Sequence, residues 1–294
     1  MTTTKRRIFI DDKLQAQFDK DGYVVVPFID KTTIDKVRNI YEEADSGIDS
    51  GFYSTVYSKD KAYKAKVDTT LKKYCSELPK NILYNYKPLH GGFMIKTANG
   101  NSDLAVHQDW NMVDEPHFTS VNCWIPITTV TPENGPLMVM KGSHKFMEGL
   151  RGSPYISSPL DNFRELIRDN YLVCPKVNPG EAIIHDNRLV HYSPANTSGK
   201  VRIAVCLNMI PQEARPIHYY QNPNGKLEYF EIDENFFATF NIGQRPDYPV
   251  VKEINDYVAP TMTQKELEEH YYNTNPELRK KWWQKWTSFF SKKS

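Results

Sequence analysis

The stretch that decides the fold spans residues 178–211 and reads NPGEAIIHDNRLVHYSPANTSGKVRIAVCLNMIP. Short apolar runs rich in β-branched residues alternate there with the turn signals Pro179-Gly180 and Ser198-Gly199, a pattern that predicts strands joined by tight turns. Comparable runs and turns begin near Gly92 and continue into this stretch. Many short, regularly spaced strands are typical of a closed β structure whose sheet edges are protected.

The segments on either side of these strands have a different pattern. Apolar residues recur at helical spacing around Ile34 to Ala44 and Tyr63 to Leu78, which predicts two support helices. We therefore expect a mainly β protein with flanking helices and a double-stranded β-helix (jelly roll, cupin-like) core. The 294 residues are interpreted as one domain. Its predicted parts are an N-terminal strand with support helices (12–90), the jelly-roll core with an inserted helix at 160–169 (91–211), and a C-terminal extension (212–294).

Composition excludes several classes of protein. The 37 basic residues nearly balance the 36 acidic ones, so no overall field favours nucleic acid. No apolar run approaches the roughly 20 residues that a transmembrane helix needs. The four cysteines are scattered, without a C-x-x-C pair, and no signal-peptide core follows the N-terminal basic residues. These observations predict a cytoplasmic protein.

The clearest motif for chemistry is His107-Gln108-Asp109. Side chains alternate faces along a strand, so His107 and Asp109 are expected on one side and Gln108 on the other. One imidazole and one carboxylate on one barrel wall are two thirds of the facial triad that binds non-haem iron(II). By itself the H-x-D pattern is common and equally suits a histidine beside a solvated aspartate.

A second group lies in the stretch quoted first. His191 and Ser193 share one strand face, and a turn near residue 197 leads to Arg202. If this turn closes a hairpin, Arg202 lies across from His191 or Ser193, about 5 Å away between Cβ atoms. A guanidinium there would bind a carboxylate through two hydrogen bonds while the other end of the same molecule chelates the metal. This is the geometry that a 2-oxo diacid cosubstrate requires.

Taken together, these motifs resemble the phytanoyl-CoA dioxygenase (PhyH) family of Fe(II)- and 2-oxoglutarate-dependent oxygenases. The resemblance rests on motifs in matching order: 18–26, His107 to Trp110, Trp124 to Ile127, Glu133 to Leu137, Gly142 to Lys145, Pro179 to Glu181, then His191, Ser193, Asn196 and Arg202. It does not extend to the last 80 or so residues. It implies that iron(II), 2-oxoglutarate and O2 are used, and that a substrate C–H bond is hydroxylated while succinate and CO2 are formed.

The resemblance also implies roles for individual residues. His107, Asp109 and His191 would bind iron, while Arg202 and Ser193 would hold the distal carboxylate of 2-oxoglutarate. Trp124 and Lys96 match positions that line the cosubstrate or substrate pocket, and Gln108 is a polar contact beside the ligands. His185 is the alternative third ligand, and His144 is assigned to a structural turn. Several residues remain: His90, His117, His218 and His270 show no partner spacing, and Asn111, Asp114, Arg188 and Asn208 are candidate pocket residues.

Two interpretations from other classes stay open at this point. A Zn(II)-dependent hydrolase would use the same three ligands with a metal-bound water, but it gives no role to Arg202 or Ser193. A non-catalytic barrel that only binds a ligand is the other. Within the oxygenase interpretation, desaturation and ring formation share the oxidant with hydroxylation. The resemblance implies a small-molecule substrate, either a small or medium polar metabolite or an acyl or carrier-linked molecule.

The C-terminal tail, residues 275–294, predicts a basic aromatic helix that starts at Pro276. Leu278, Trp282, Trp286 and Phe289 fall on one face. We expect this face to cover the enzyme's own barrel or to form a homodimer contact. An anionic membrane surface or an acidic carrier is the alternative partner.

Overall fold

The computed structural model describes residues 6–43, 50–98 and 100–279. The helices and strands follow in this order: α1 (Asp12–Asp21), β1 (Tyr23–Pro27), α2 (Lys31–Glu43), β2 (Phe52–Ser54), α3 (Lys61–Cys75), β3 (Tyr86–Lys96), β4 (Leu104–His107), β5 (Val121–Pro126), β6 (Met138–Val139), α4 (Arg164–Asn170), β7 (Glu181–Asp186), β8 (His191–Ser193), β9 (Arg202–Pro211), β10 (Ile217–Gln221), β11 (Leu227–Glu231), α5 (Phe236–Thr239), β12 (Lys252–Ile254) and α6 (Gln264–Thr274).

Two antiparallel sheets form the barrel. Within the described residues, the larger sheet has six strands in the order β1-β7-β5-β9-β3-β2, and the smaller has three in the order β4-β8-β6. The β9 strand is buried along its whole length, as expected for the centre of a two-layer core. The predicted mainly β fold with flanking helices and a jelly-roll core is confirmed.

The helices cover the outer face of the larger sheet. Val37 of α2 and Val67 and Leu71 of α3 belong to the same buried cluster as Phe93 of β3 and Val205 of β9. Asp11 caps α1 by accepting hydrogen bonds from the amides of Lys13 and Leu14. The predicted support helices are therefore present as α2 and α3, and the inserted helix is present as α4.

The barrel begins earlier in the chain than the sequence suggested. Strand β3 starts at Tyr86, so the predicted boundary at residue 91 falls inside a strand. Strand β1 pairs with β7 along its full length, from Tyr23 opposite His185 to Pro27 opposite Glu181. It forms one edge of the larger sheet and covers β7. The segment 12–90 thus supplies barrel strands as well as support helices.

The expected hairpin between β8 and β9 is wrong. Strand β8 pairs with β4 and β6, whereas β9 pairs with β3 and β5 in the other sheet. Pro194 follows β8 directly and has no amide hydrogen to continue a ladder. The chain then crosses between the sheets, and Asn196 fixes the crossing by donating hydrogen bonds to the carbonyl oxygens of Lys96 and Lys200. Arg202 consequently lies opposite Lys96 of β3.

The C-terminal extension forms a further antiparallel sheet, β10-β11-β12, followed by α6. Phenylalanines of α5 pack with Trp110 beside the barrel. Of the predicted tail helix, Leu278 packs against the cluster that contains Tyr271 of α6, while Trp282, Trp286 and Phe289 lie outside the described residues. None of the described helices has both the length and the apolar character to span a membrane.

Candidate active site

The smaller sheet places two histidines side by side. His107 ends β4 and His191 begins β8, and the two residues pair in register with ring centroids 4.1 Å apart. Each ring donates from Nδ1 to a backbone carbonyl oxygen, that of Ala105 at 2.7 Å and that of Leu189 at 2.9 Å respectively. These hydrogen bonds fix the tautomer and leave both Nε2 atoms available for a metal ion.

Asp109 completes the group from just beyond the end of β4. Ligand atoms of His107, Asp109 and His191 all lie within 4.8 Å of one another. Asn122 of β5 orients the carboxylate, because its Nδ2 donates to Asp109 Oδ2 at 3.0 Å. Gln108 is directed elsewhere, with its Nε2 donating to the carbonyl oxygens of Met147 and Arg188. The structure therefore brings the three predicted metal ligands together.

The electrostatics of the group suit a divalent cation. Burial, assisted by His191, lowers the pKa of His107 to about 3, and burial likewise lowers the pKa of His191. Burial opposes ionisation of Asp109, but His191, His185 and His107 together hold the pKa of this carboxyl below its ordinary value. Neutral imidazoles and an ionised carboxylate are the protonation states that bind metal. Two nitrogens and one oxygen on a single face match the facial triad of non-haem iron(II).

His185, the alternative third ligand, lies behind this group. Its ring centroid is 4.9 Å from that of His191, and its Nδ1 approaches the carbonyl oxygen of Asp186. Within the described residues, the group with metal-ligand spacing contains His191 and not His185. The geometry therefore favours His191.

Arg202 is a buried cation to which no described residue supplies an acidic partner. The side chain is 1% exposed, its guanidinium lies 5.3 Å from the ring centroid of Trp124, and one nitrogen donates to the Met94 carbonyl oxygen at 3.3 Å. Its Nε makes no hydrogen bond, and no carboxylate of a described residue forms an ion pair with it. Burial lowers the pKa of Arg202 to about 10. A buried cation of this kind is stabilised by an anion.

Ser193 and Lys96 hold the chain around Arg202. Ser193 Oγ donates to the Gly135 carbonyl oxygen at 2.9 Å. The Lys96 ammonium group donates to the carbonyl oxygens of Ser102, Ser193 and Pro194, at 2.5, 2.8 and 2.5 Å. Burial, with Arg202 adding repulsion, lowers the pKa of Lys96 to about 7. Its three donors are thus already used by the protein.

A cavity of about 780 Å³, including its mouth, opens beside the triad. His107, Gln108, Asp109, Asn122 and Asn208 supply polar lining, and most of the remaining wall is apolar or aromatic: Phe52, Val56, Tyr57, Met94, Leu104, Trp110, Met112 and Phe237. Of the candidate pocket residues, Asn208 lies in this cavity. The others, Asn111, Asp114 and Arg188, line a separate cavity.

His90 also lines the main cavity, although no spacing in the sequence singled it out. Its partner is Asp68, with Nδ1 and Oδ1 3.1 Å apart, on a helix 22 residues earlier in the chain. The available signal was an aspartate beside the apolar stripe of α3, between Val67 and Leu71. A buried aspartate on a helix face of this kind requires a partner.

A jelly roll that carries a facial triad and a buried, unpaired arginine defines a non-haem iron(II)- and 2-oxoglutarate-dependent oxygenase. Residues 18–204 match the family model described as "Phytanoyl-CoA dioxygenase (PhyH)". Since this match covers more than half of the chain, the chain belongs to the phytanoyl-CoA dioxygenase family. It is an iron(II)- and 2-oxoglutarate-dependent dioxygenase by class, with iron(II), 2-oxoglutarate and O2 as its cofactor and cosubstrates.

Known proteins agree with this class. An ectoine dioxygenase of Sphingopyxis alaskensis is 26% identical over 225 residues, which is 64% of this chain and 71% of that protein. The carbocyclase SnoK from nogalamycin biosynthesis superposes with a TM-score of 0.51 at 17% identity, covering 70% of this chain and 86% of SnoK. HygX of Streptomyces hygroscopicus, solved with nickel and 2-oxoglutarate, gives 0.50 at 16% identity, covering 69% and 88%. The two structural similarities establish the fold alone.

Proposed function

We propose that this enzyme hydroxylates a C–H bond of a small or medium polar metabolite, or of an acyl or carrier-linked substrate, and forms succinate and CO2 as coproducts. Iron(II) bound at the triad would supply, with 2-oxoglutarate and O2, the oxidant for that bond. The observation that carries the proposal is the buried Arg202 guanidinium, which has no acidic partner among the described residues. Neither a hydrolase nor a non-catalytic binding barrel needs a buried cation at this position. Membership of the dioxygenase class also argues against both alternatives.

The triad residues have distinct roles in this proposal. His107 and His191 would bind the metal through Nε2, since their Nδ1 atoms are held by backbone carbonyl oxygens. Asp109 would bind through the carboxylate that Asn122 orients. Because a carboxylate occupies the third ligand position, no place is left there for a halide. Hydroxylation is therefore favoured over halogenation.

Arg202 would bind the distal carboxylate of 2-oxoglutarate, over the face of Trp124. Ser193 and Lys96 act in this proposal by fixing the segments that meet at Arg202, because their donors reach backbone carbonyl oxygens. Gln108 would close the cavity on the side of Met147 and Arg188. Burial of His191 and of Arg202 limits the access of water to their part of the site.

The test is succinate formation by the purified enzyme with Fe(II), 2-oxoglutarate and O2, first alone and then with candidate metabolites. Ectoine is the first compound to try, because a relative is named for it. The expected result is substrate-dependent succinate with a product heavier by one oxygen, and inhibition by Zn(II). The matched control is Arg215→Met, an exposed arginine paired with Glu231, which should behave as the unaltered enzyme. Zn(II)-activated hydrolysis without succinate would overturn the proposal.

We also propose that the protein is located in the cytoplasm. All four cysteines are free thiols, which suits the reducing cytoplasm.

A further inference from the structure

The cavity floor carries a row of polar side chains across three strands of the larger sheet. His90 of β3, Asn208 of β9 and Asn122 of β5 are direct neighbours in register, and all three line the cavity. Asn122 holds the metal ligand Asp109 at one end of the row. His90 lies two strand spacings away, roughly 10 Å. The row therefore leads from the metal centre to His90.

The protein fixes the orientation of the His90 ring. Asp68 Oδ1 accepts from the Gly91 amide at 2.7 Å and contacts His90 Nδ1 at 3.1 Å. Asp68 Oδ2 is also paired with Lys72 Nζ, at 2.7 Å. Phe237 packs against the ring with centroids 5.2 Å apart. Because a carboxylate oxygen only accepts, Nδ1 carries the hydrogen in this contact, and in the neutral ring Nε2 is then an acceptor.

This acceptor is uncovered on the cavity side. No hydrogen bond from a described residue reaches Nε2. The neighbouring position on β3 that faces the same way is Gly92, where a Cβ would lie 3.3 Å from Nε2. Glycine here keeps the space beside the nitrogen open. Asn208 Oδ1 is a second buried acceptor that receives no hydrogen bond within the described part of the chain.

We propose that His90 Nε2 is an acceptor that binds an O–H or N–H group of the substrate, which makes a compact hydroxy or amino compound the substrate class. Asn208 faces His90 across neighbouring strands, about 5 Å away between Cβ atoms, but its Oδ1 is fully buried, so the substrate contact is assigned to His90. Trp110 and Phe237 also line the cavity and stack on each other, and these aromatic rings suit the carbon-rich side of such a molecule. This inference rests on the proposed function and narrows its substrate to molecules that fit between His90 and the metal.

The ring tautomer is tested without any substrate. The protein with Zn(II) in place of iron and with 2-oxoglutarate added is diamagnetic, and ¹⁵N-histidine NMR reports the protonation of each ring nitrogen. We expect His90 as the Nδ1–H tautomer at pH 7.5, with its signals assigned by their loss in His90→Gln. An Nε2–H tautomer or an imidazolium overturns the inference, because Nε2 would then be a donor.

The selectivity is tested with matched pairs of compounds. The enzyme is incubated with an equimolar mixture of myo-inositol, ectoine and amino alcohols of similar size, together with their O- or N-methylated counterparts, and oxidised products are counted by mass. The unaltered enzyme should oxidise donor-bearing members in preference to methylated ones. His90→Phe and Gly92→Ala should lower kcat/KM for those members roughly 10- to 100-fold through KM. The KM for 2-oxoglutarate, measured in the same variants, is the internal reference against which the loss in the substrate KM is judged.

Controls separate this inference from structural effects and from the proposed function. His117→Phe removes an exposed histidine that also pairs with an aspartate, Asp114, and should change nothing. His90→Gln places an amide near the Nε2 position and should restore part of the selectivity. Identical product sets from the unaltered enzyme, His90→Phe and Gly92→Ala overturn the inference. Failure of the unaltered enzyme to form succinate at all contradicts the proposed function instead, and the tautomer measurement then decides the role of His90.

Discussion

Replacing Arg202 with methionine should leave the free protein at least as stable while it weakens 2-oxoglutarate binding. Burial lowers the pKa of this arginine from 12.5 to about 10. A pKa that is lower in the folded state means that the unfolded chain binds the proton more tightly. The charged side chain therefore costs stability at pH 7, and this cost disappears only as the pH rises from 10 to 12.5.

The magnitude follows from that pKa. A difference of about 2.5 corresponds to about 3 kcal/mol of unfolding free energy. Methionine removes this cost, but it also removes the contact with Trp124, worth about 1 kcal/mol, and the hydrogen bond to Met94, worth about 1 kcal/mol. The expected net gain is about 1 kcal/mol. Loss of a paired charge-assisted contact should weaken 2-oxoglutarate binding by about 2–4 kcal/mol, or roughly 30- to 1000-fold.

Thermal unfolding of the Zn(II)-loaded protein, with and without 2-oxoglutarate, measures both effects. At 100 times its dissociation constant for the unaltered protein, the cosubstrate should stabilise that protein by about 2.7 kcal/mol and the variant by less than about 1 kcal/mol. Arg215→Met, which deletes an exposed arginine, controls for the change in net charge. A variant that loses more than about 2 kcal/mol of stability, yet is stabilised by 2-oxoglutarate as before, would refute the reasoning, because Arg202 would then be a structural cation.

Three further predictions follow from the same structure. Asp109→Ala and His191→Ala should abolish iron binding and succinate formation with little loss of folding, as iron content and circular dichroism will report; an active His191→Ala would point to His185. Burial lowers the pKa of His218 to about 4, so its neutral form contributes stability above pH 6.5 that is lost as the pH falls towards 4. The stability difference between the unaltered protein and His218→Leu should therefore shrink by about 3 kcal/mol between pH 7.5 and 4 in urea titrations. Deleting residues 275–294 should lower the melting temperature, because Asn275 is buried and donates to the Lys141 carbonyl oxygen. An unchanged melting temperature and elution volume, with lipid binding by the full chain alone, would favour a membrane contact for the tail.

The barrel and most of the site could be predicted from the sequence, because both depend on residues that lie close together in the chain. His107 and Asp109 are two residues apart, so alternation along one extended segment was enough to place them together. Strands separated by glycine-rich turns indicated the jelly roll, and helical spacing located α2 and α3. In these cases the residues that determine the feature lie within a few positions of one another.

The parts that could not be predicted depend on contacts between distant segments. The path after Ser193 was mistaken for a hairpin because Ser198-Gly199 is a turn signal. The crossing to the other sheet depends on Asn196 reaching Lys96, 100 residues earlier in the chain. The Asp68–His90 pair joins a helix to a strand in the same way. The sheet of the C-terminal extension carries no motif, and its aromatic residues acquire a role only through packing on Trp110.

The histidine ligands belong to the sheet with the least hydrogen bonding in the barrel. Strands β4, β8 and β6 have four, three and two residues, whereas β3 and β9 of the larger sheet have eleven and ten. A ladder this short opens easily by itself. A metal ion bound by both His107 and His191 would cross-link β4 and β8, where backbone hydrogen bonds are few. The ion would therefore stabilise the smaller sheet in addition to its part in the reaction. Loss of the ion should thus speed amide hydrogen exchange in these two strands long before the rest of the barrel responds.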